Sequence, residues 1–320
     1  MAGIFLTGST GFLGASLLKE IELEGRYDLT ISTRKLVGGL PGIIQQYIVP
    51  DLGSAVAWQQ AVEGRKVVIH CAARVHVIND LSSSPLAEFR KINVEATLNL
   101  ARQAAVAGVH RFIFISSIKV NGELTQAGHP YVVDAVPMPA DPYGVSKMEA
   151  EQGLRALAVE TGMEVVIIRP VLVYGPGVKA NFLSMMRWLH KGVPLPFGAI
   201  DNRRSLVALD NLVHLIMTCI DHPAAGNQTF FVSDGEDLST TELLRRMGAA
   251  LGKPARLLPV PSRLLNAGAT VLGRQDLAQR LCGSLQVDIS KTKSLLGWTP
   301  PVSVNNALEK TAKYFLEHNQ

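Results

Sequence analysis

The sequence predicts an α/β protein built on a doubly wound parallel sheet, with a smaller, discontinuous C-terminal lobe. In the first half of the chain, short apolar runs rich in β-branched residues alternate with longer segments of helical spacing. This alternation is typical of parallel strands joined by crossover helices. The runs are apolar almost throughout, as expected of strands buried on both faces. Beyond Arg169 and Pro170 the alternation becomes less regular, which marks the second lobe.

The elements can be assigned in chain order. The run GIFLTG opens the first strand, and a helix is predicted near 12–24. Further strands are predicted at LTIST (29–33), QQYIVPDL (45–52), KVVIHCAA (66–73), RFIFISS (111–117) and EVVIIRP (164–170), with helices near 54–63, 85–107 and 142–161. A strand and helix pattern returns at 205–220. We therefore predict one lobe from 1–172 plus about 206–232, and a second from 173–205 plus about 233–320.

Composition narrows the classes of function. In 320 residues, 31 Lys and Arg against 27 Asp and Glu give a net charge of +4 without a basic block. This balance suits an anionic small molecule better than nucleic acid. Three widely spaced cysteines, Cys71, Cys219 and Cys282, predict neither a metal site nor a disulfide framework. The sequence shows no signal peptide and no membrane-spanning run, so a cytoplasmic protein without a membrane partner is expected.

Three glycines lie between the first strand and the first helix, at a spacing of G-x-x-G-x-x-G. Glycine lets the chain turn tightly, lets a pyrophosphate approach the backbone, and lets helix and strand pack closely. The phosphates then meet free N–H groups at the positive end of the helix. This pattern predicts a Rossmann-type dinucleotide-binding lobe, with a purely structural turn as the alternative. The predicted cofactor contacts in this loop are Gly8, Thr10, Gly11, Phe12, Leu13 and Gly14.

The end of the second strand predicts which dinucleotide is bound. About 20 residues beyond the glycines, an acidic residue would pair with the ribose 2′-hydroxyl of NAD(H). Ser32, Thr33 and Arg34 stand there instead. Two hydroxyls and a guanidinium suit a 2′-phosphate, so NADP(H) is favoured over NAD(H). The alternative is that Arg34 is a solvated loop residue.

The segment DPYGVSKMEAE (141–151) carries a candidate acid–base pair. Asp141 is the predicted N-cap and Pro142 the first helical residue, so Tyr143 and Lys147 share one helix face. A phenol has a pKa of about 10, and a neighbouring ammonium, helped by a cationic nicotinamide, favours the phenolate and lowers that pKa. We therefore expect Tyr143 to move a proton, an ordinary exposed pair being the alternative.

Two serines, Ser116 and Ser117, follow the strand RFIFI at the carboxyl edge of the predicted sheet. Parallel sheets bind ligands at this edge, and a hydroxyl there can hold a substrate carbonyl or alcohol. A simple strand-end turn is the alternative.

With these features together, the sequence resembles the extended short-chain dehydrogenase/reductase family over nearly its whole length. The resemblance rests on TGSTGFLG (7–14), DL (51–52), HCAA (70–73), NVEATLNL (93–100), ISSIKVNG (115–122), YGVSK (143–147), RPVLVYGPG (169–177), RRSLVALDNL (203–212) and VDISKTKSLLGWTP (287–300). It implies that Ser117 positions the substrate oxygen, that Tyr143 is the acid–base residue, and that Lys147 orients the cofactor ribose. It also implies cofactor contacts from Asp51, Leu52, Cys71, Ala72, Ala73, Asn93 and Pro170.

The members of that family that the sequence resembles most act on nucleotide-activated sugars. By this resemblance Asn181, Phe182 and Arg203 would meet the substrate diphosphate, unless Asn181 caps a helix and Arg203 is surface charge. Two departures stand out. Asn121 replaces the aromatic residue that epimerases of the family carry, and Ile118-Lys119 replaces the Asp-Glu pair with which dehydratases remove water.

Three hypotheses follow. The first is an NADPH-dependent reductase of the C4 ketone of a nucleotide sugar. Resemblance to O-antigen enzymes implies a UDP-4-keto-6-deoxy-N-acetylhexosamine for surface polysaccharide. The second is an NAD-dependent UDP-sugar 4-epimerase, and the third is a non-catalytic dinucleotide-binding protein.

A homodimer is also predicted, through the helices near 85–107 and 142–161. Their apolar residues exceed what one sheet face must cover: Phe89, Ile92, Ala96, Leu100, Ala104, Met148, Leu154 and Leu157.

Overall fold

A computed structural model describes residues 2–75, 84–126, 128–271, 273 and 275–318. Its strands are β1 Ala2–Thr7, β2 Tyr27–Thr33, β3 Gln45–Ile48, β4 Val67–His70, β5 Arg111–Ile115, β6 Glu164–Pro170, β7 Leu172–Tyr174, β8 Arg204–Ala208, β9 Thr229–Val232 and β10 Asp237–Leu238. Seven of them form a parallel sheet in the order β3-β2-β1-β4-β5-β6-β9. The predicted Rossmann-type α/β fold is confirmed.

The helices are α1 Phe12–Glu24, α2 Gln59–Val62, α3 Pro85–Arg90, α4 Ala96–Val106, α5 Pro142–Thr161, α6 Ala180–His190, α7 Leu209–Asp221, α8 Thr240–Ala250, α9 Ser262–Val271, α10 Gln275–Cys282, α11 Ser290–Leu296 and α12 Val304–His318. The predicted bounds of α1 and α5 are confirmed. The helix predicted near 54–63 is shorter, because regular helix begins only after Trp58. In the described part of the chain, no helix has the length and apolar character that a membrane span requires.

The central strand β1 shows why the large sheet is covered on both sides. Ile4, Phe5 and Leu6 are all completely buried, although neighbouring residues point to opposite faces. Ile4 and Leu6 pack in one core with the apolar sides of α1 and α7. Phe5 packs in the other core, with side chains of α4 and α5. The uninterrupted apolar runs of the sequence therefore correspond to strands sandwiched between two helical layers.

The helix predicted near 85–107 is interrupted. Between α3 and α4, residues Lys91–Glu95 form one turn of π-helix. Asn93 lies in this turn and is fully buried. Its Nδ2 donates to the Ser146 hydroxyl at 3.0 Å and to the Arg74 carbonyl at 3.0 Å, while its Oδ1 accepts from the Arg74 N–H at 2.8 Å. The wider turn thus places a polar side chain where the apolar repeat would place a hydrophobic one.

A second, three-stranded sheet has the order β10-β8-β7. Its core also includes side chains of α6, α8 and α12, among them Phe182, Leu244 and Leu308. The sequence predicts that the chain returns to the first lobe at about residue 206. In the structure this position lies within β8, which pairs with β7 in the small sheet. The helix that follows, α7, packs on the large sheet. The exact division of the chain into lobes stays a prediction.

Most of the apolar side chains that led to the predicted dimer are already buried inside the single chain. Six of the eight positions are buried in the single chain: Phe89, Ala96, Leu100, Ala104, Leu154 and Leu157. Ile92 and Met148 are half-buried. The argument from surplus apolar residues is therefore wrong at those six positions, because they already cover the sheet and each other. The dimer itself stays a prediction.

Candidate active site

The glycine loop joins β1 to α1 as a tight turn that begins at Gly8 and ends at Gly11. Gly8 has a φ of 72°, in the left-handed region that glycine adopts at little cost. The Gly11 N–H donates to the Gly8 carbonyl at 2.9 Å, which closes the turn. Gly11 is also the N-cap residue of α1, and no side chain caps the first N–H groups of this helix. These groups are free to bind an anion, since the amino end of a helix carries partial positive charge.

Close packing against neighbouring backbone accounts for two of the three glycines in this loop. A β-carbon on Gly8 would lie 2.7 Å from the backbone nitrogen of Ala72, and one on Gly14 would lie 2.1 Å from the Gly8 carbonyl oxygen. Any side chain at either position would fill the cradle or push the strands apart. Thr10 and Gly11 are exposed, while Phe12 and Leu13 are half-buried beside them. The predicted loop residues thus lie together at the carboxyl edge of the sheet.

The residues predicted to choose the dinucleotide lie at the end of the neighbouring strand. Ser32 and Thr33 are buried and end β2, and Arg34 follows in an exposed position. The Thr33 Oγ1 atom is buried and makes no hydrogen bond to the described residues. The Ser32 carbonyl accepts from Ser9 Oγ at 3.2 Å, which ties this strand end to the glycine loop.

The other predicted cofactor residues follow the ends of the adjacent strands. Asp51 is exposed and Leu52 half-buried beyond β3, and Pro170 ends β6 and is buried. Cys71, Ala72 and Ala73 follow β4 and are half-buried. The Ala72 N–H donates to Thr7 Oγ1 at 3.3 Å, which holds this segment against β1. The structure therefore gathers the predicted set along one edge, with Asn93 behind it in the π turn.

Tyr143 and Lys147 begin α5, and their setting follows from the helix cap. The predicted cap is confirmed: Asp141 accepts from the Gly144 N–H at 2.6 Å, and Pro142 is the first helical residue. Tyr143 is half-buried with its ring edge against Phe89 at 5.9 Å. Lys147 is only 2% exposed, and its Nζ donates to the Ile115 carbonyl at 2.8 Å. The ammonium is thus anchored to the end of β5.

Burial governs the proton affinity of both side chains. Burial raises the pKa of Tyr143 to about 12, while a hydrogen bond with Ser117 acts in the opposite direction. Burial lowers the pKa of Lys147 to about 8, against the raising effects of Cys71 and Glu151. The predicted lowering of the Tyr143 pKa by Lys147 is therefore wrong for this structure, because the ammonium is directed at a backbone carbonyl and the loss of solvation outweighs its charge.

Ser117 lies beside Tyr143 and caps a short turn. Its Oγ accepts from the Lys119 N–H at 3.2 Å, and residues Ile118–Val120 form the 3-10 turn that follows. Lys119 forms ion pairs with Asp141 and with Glu123. These contacts join the serine turn to the cap of α5. The structure therefore brings the Ser117 hydroxyl and the Tyr143 phenol within hydrogen-bond reach of each other, with Lys147 one turn further along α5.

The predicted substrate residues lie in the second lobe. Asn181 is exposed in the first turn of α6, whose N-cap is Lys179, so the alternative that Asn181 caps the helix is wrong. The Phe182 side chain is buried and stacked on Tyr174 at 5.4 Å, which leaves only its backbone for a ligand. Arg203 is half exposed, with Nη1 at 3.7 Å from Glu242 Oε2.

Sequence reasoning missed one feature close to this site. Arg169 and Glu151 form a buried ion pair, with Arg169 Nη2 at 2.5 Å from Glu151 Oε2. Asn121, which the sequence marks as a departure, accepts from Arg169 Nη1 at 3.0 Å. The signal was present in the sequence, since an arginine inside the apolar run EVVIIRP needs a buried partner.

Comparison with known proteins places the chain in a family. Residues 4–232 match the model of the NAD dependent epimerase/dehydratase family, which covers more than half of the sequence. The chain belongs to this family. Proteins of the NAD dependent epimerase/dehydratase family bind a nicotinamide dinucleotide, and they include epimerases, dehydratases and reductases of nucleotide sugars.

Three relatives within the family are informative. The chain is 50% identical over 317 residues to a UDP-glucose 4-epimerase of Vibrio cholerae, covering 99% of this chain and 96% of that protein. It is 25% identical over 325 residues to a GDP-6-deoxy-D-mannose reductase of Pseudomonas aeruginosa, covering 95% and 94%. Its fold matches UDP-glucuronic acid 4-epimerase from Bacillus cereus in complex with NAD, with a TM-score of 0.80, 19% identity and coverage of 99% and 100%.

Proposed function

We propose that the protein is a 4-epimerase of a UDP-linked hexose. The observation that carries this proposal is the 50% identity to a UDP-glucose 4-epimerase along almost the whole of both chains. The grouping of Ser117, Tyr143 and Lys147 supports it, because inversion at C4 requires a proton to leave and return at one oxygen. We further propose that Asn181, the Phe182 backbone and Arg203 contact the diphosphate of the substrate.

A nicotinamide dinucleotide, when bound, supplies the hydride acceptor and donor for C4. We propose that the glycine loop holds its pyrophosphate through Gly8, Gly11 and Gly14. The ends of β2, β3 and β4 would hold the adenosine, and Lys147 the nicotinamide ribose. The amino end of α1, whose N-cap residue is Gly11 and makes no side-chain cap, offers its N–H groups to the phosphates.

The chain's own residues then account for the proton transfers. Tyr143 takes the proton of the C4 hydroxyl when the ketone forms and returns it when the alcohol forms again. The Ser117 hydroxyl donates to the same oxygen and so stabilises the charge that develops there. Burial raises the pKa of Tyr143 to about 12, so the phenol is protonated at neutral pH and holds the proton that the alcohol-forming direction needs. Lys147, whose ammonium donates to the Ile115 carbonyl at 2.8 Å, contributes by holding the nicotinamide ribose rather than by lowering the pKa of Tyr143.

A reductase is the second candidate, because the end of β2 carries no carboxylate. Ser32, Thr33 and the exposed Arg34 stand where an acidic residue would select NAD(H). The similarity to a GDP-6-deoxy-D-mannose reductase supports the same candidate. Under this second proposal the protein uses NADPH to reduce the C4 ketone of a UDP-4-keto-6-deoxy-N-acetylhexosamine for O-antigen synthesis.

One experiment separates the two candidates. Purified protein is incubated with UDP-glucose, UDP-galactose and their N-acetylated forms with catalytic NAD⁺, and separately with UDP-4-keto-6-deoxy-N-acetylhexosamine and stoichiometric NADPH. Interconversion of the 4-hydroxy epimers with no net change in absorbance at 340 nm supports the epimerase. Consumption of NADPH only with the 4-keto sugar overturns it in favour of the reductase. No turnover in either arm, with a dinucleotide bound, supports the non-catalytic alternative.

Assembly and location are part of the same proposal. The three cysteines, Cys71, Cys219 and Cys282, are free thiols, which fits a reducing compartment and a cytoplasmic enzyme. We retain the homodimer through the outer faces of α4 and α5, where Met148 and Leu98 are half-buried. Sedimentation velocity at micromolar protein concentration tests the dimer.

A further inference from the structure

Four polar side chains form a closed cluster beneath the candidate active site. Glu151 Oε1 accepts from Ser116 Oγ at 2.6 Å and from Arg169 Nε at 2.8 Å. Glu151 Oε2 accepts from Arg169 Nη2 at 2.5 Å, and Arg169 Nη1 donates to Asn121 Oδ1 at 3.0 Å. The side chains of Glu151 and Arg169 are 1% and 2% exposed. Burying an ion pair often contributes little net stability, because removing both charges from water is costly. The Glu151–Arg169 pair is therefore better explained by a role other than stabilising the fold.

The cluster joins the segments that carry the three candidate active-site residues. Ser116 directly precedes Ser117 at the end of β5. Glu151 lies one turn beyond Lys147 on α5, at the i,i+4 spacing that puts the two side chains on one face. Asn121 ends the turn that Ser117 caps, and Arg169 belongs to the end of β6. Each of these segments is therefore tied to the Glu151 carboxylate, directly or through Arg169.

Asn121 is a neutral partner of Arg169, so it adds no second carboxylate to the cluster. Arg169 has one carboxylate partner in this core, and its remaining nitrogen meets two neutral acceptors, Asn121 Oδ1 and the Val133 carbonyl at 3.3 Å. Arg155 reaches Glu151 from the half-exposed surface at 3.3 Å. The buried part thus holds one negative and one positive charge next to the Lys147 ammonium.

We propose that Ser116, Asn121, Glu151 and Arg169 form a positioning device that holds Ser117 and Lys147 in register and keeps Lys147 charged for the C4 chemistry. The proposal rests on the proposed function, since these two side chains are taken to act on the sugar and the cofactor. Glu151 and Arg169 are positioning residues rather than catalytic ones, because their side chains are only 1% and 2% exposed and are paired with each other at 2.5 Å.

The ionisable groups around Lys147 act on its pKa, which can be measured. The ionisable groups that interact with Lys147 are Cys71 and His70 at the end of β4 and Glu151 on its own helix. His70 is fully buried and its pKa is lowered to about 3, so it stays neutral. Burial raises the pKa of Cys71, which keeps that thiol neutral as well. Burial lowers the pKa of Lys147 to about 8, and Cys71 and the Glu151 carboxylate, which is paired with Arg169, oppose that lowering.

The test substitutes Glu151→Gln, which keeps the shape and removes the charge. Binding of NAD⁺ to the full-length protein is measured by titration calorimetry from pH 6 to pH 10. In the wild type we expect an inflection near pH 8, where Lys147 loses its proton. In Glu151→Gln the inflection moves to lower pH by roughly one unit, because an opposite charge has been removed and Arg169 is left without its partner.

The chain offers a matched control at the other end of the same two strands. Arg111 opens β5 and Glu164 opens β6, and Arg111 Nη2 lies 2.6 Å from Glu164 Oε2. The Arg111 side chain is 4% exposed, so Glu164→Gln also removes the carboxylate partner of a largely buried arginine. This variant is expected to lose stability while its inflection stays at the wild-type pH.

A double variant keeps the proposal falsifiable if Glu151→Gln does not fold. Glu151→Gln combined with Arg169→Met removes both buried charges, a change that proteins tolerate better than the loss of one partner. Its inflection should return towards the wild-type pH. An unshifted inflection in folded Glu151→Gln, an equal shift in Glu164→Gln, or no inflection in the wild type overturns the proposal. Absence of sugar turnover with these shifts intact would refute the proposed function and leave the positioning device standing.

Discussion

Gly14 is the tightest point of the loop proposed to hold the dinucleotide, and Gly14→Ala tests that assignment. The added β-carbon would lie 2.1 Å from the Gly8 carbonyl oxygen, whereas contacts become ordinary only from 3.4 Å. One of the two backbone segments must therefore move by about 1.3 Å, the difference between these distances. Neither segment can yield by rotating a side chain, since the next nearest atoms are also backbone atoms of Gly8 and Ser9.

The magnitude follows from the cost of overpacking, about 1–3 kcal/mol. Because the displaced loop is also the proposed pyrophosphate site, this cost should weaken NAD⁺ binding by about fivefold to more than a hundredfold. Titration calorimetry measures the dissociation constant, and circular dichroism checks that the variant is folded.

Two further glycines supply a graded control. A β-carbon on Gly11 would lie 3.2 Å from the Gly8 carbonyl oxygen, so Gly11→Ala should cause a smaller loss. A β-carbon on Gly42 meets no atom within 4 Å, so Gly42→Ala should bind as the wild type does. A folded Gly14→Ala protein that binds NAD⁺ with the wild-type dissociation constant would refute the assignment of this loop.

Other substitutions address the remaining residues. Tyr143→Phe removes the proposed proton donor and should lower turnover about 10²–10⁴-fold with little change in dinucleotide affinity; full turnover would exclude Tyr143 as the acid–base residue. Arg34→Ala should weaken NADPH about ten- to a hundredfold relative to NADH, because only NADPH carries the 2′-phosphate; equal losses for both, by calorimetry, would argue against this contact. Met148→Glu should convert a dimer into a monomer in sedimentation velocity, since burying two unpaired carboxylates at one interface is costly; a dimer that persists would place the interface elsewhere.

The elements whose patterns are locally determined could be predicted from the sequence. Continuous apolar runs predict the buried strands, because a polar side chain on a strand covered on both faces is costly unless it has a buried partner, as Arg169 has. The cap formed by Asp141 and Pro142 predicts where α5 begins, and hence that Tyr143 and Lys147 share a face. The glycine loop is predictable because only glycine tolerates the close approach seen at Gly8 and Gly14.

Other features of the fold and the site depend on contacts between residues that are distant in the sequence, and the sequence pattern does not predict those contacts. The apolar faces of α3, α4 and α5 show that these helices pack against something, but they do not distinguish the same chain from a second copy. The π turn that buries Asn93 arises from one extra residue in a helical repeat, with no distinctive residue to mark it. The Tyr143 pKa depends on where the Lys147 ammonium points, and the Ile115 carbonyl that receives it is 32 positions away.

The order of strands in the large sheet has a consequence for how the chain folds. The edge strand β9 pairs with β6, and Ile167 is matched with Thr229 in that register. Between them the chain builds β7, α6, β8 and α7, so closing this pair means enclosing some sixty residues. Such non-local pairing slows folding. A fragment ending at residue 172 would leave the β6 edge open, with Ile167 and Ile168 beside an unpaired row of N–H and carbonyl groups. An open apolar edge of this kind recruits other strands, so a fragment of residues 1–172 is expected to aggregate unless the segment that carries β9 is made with it.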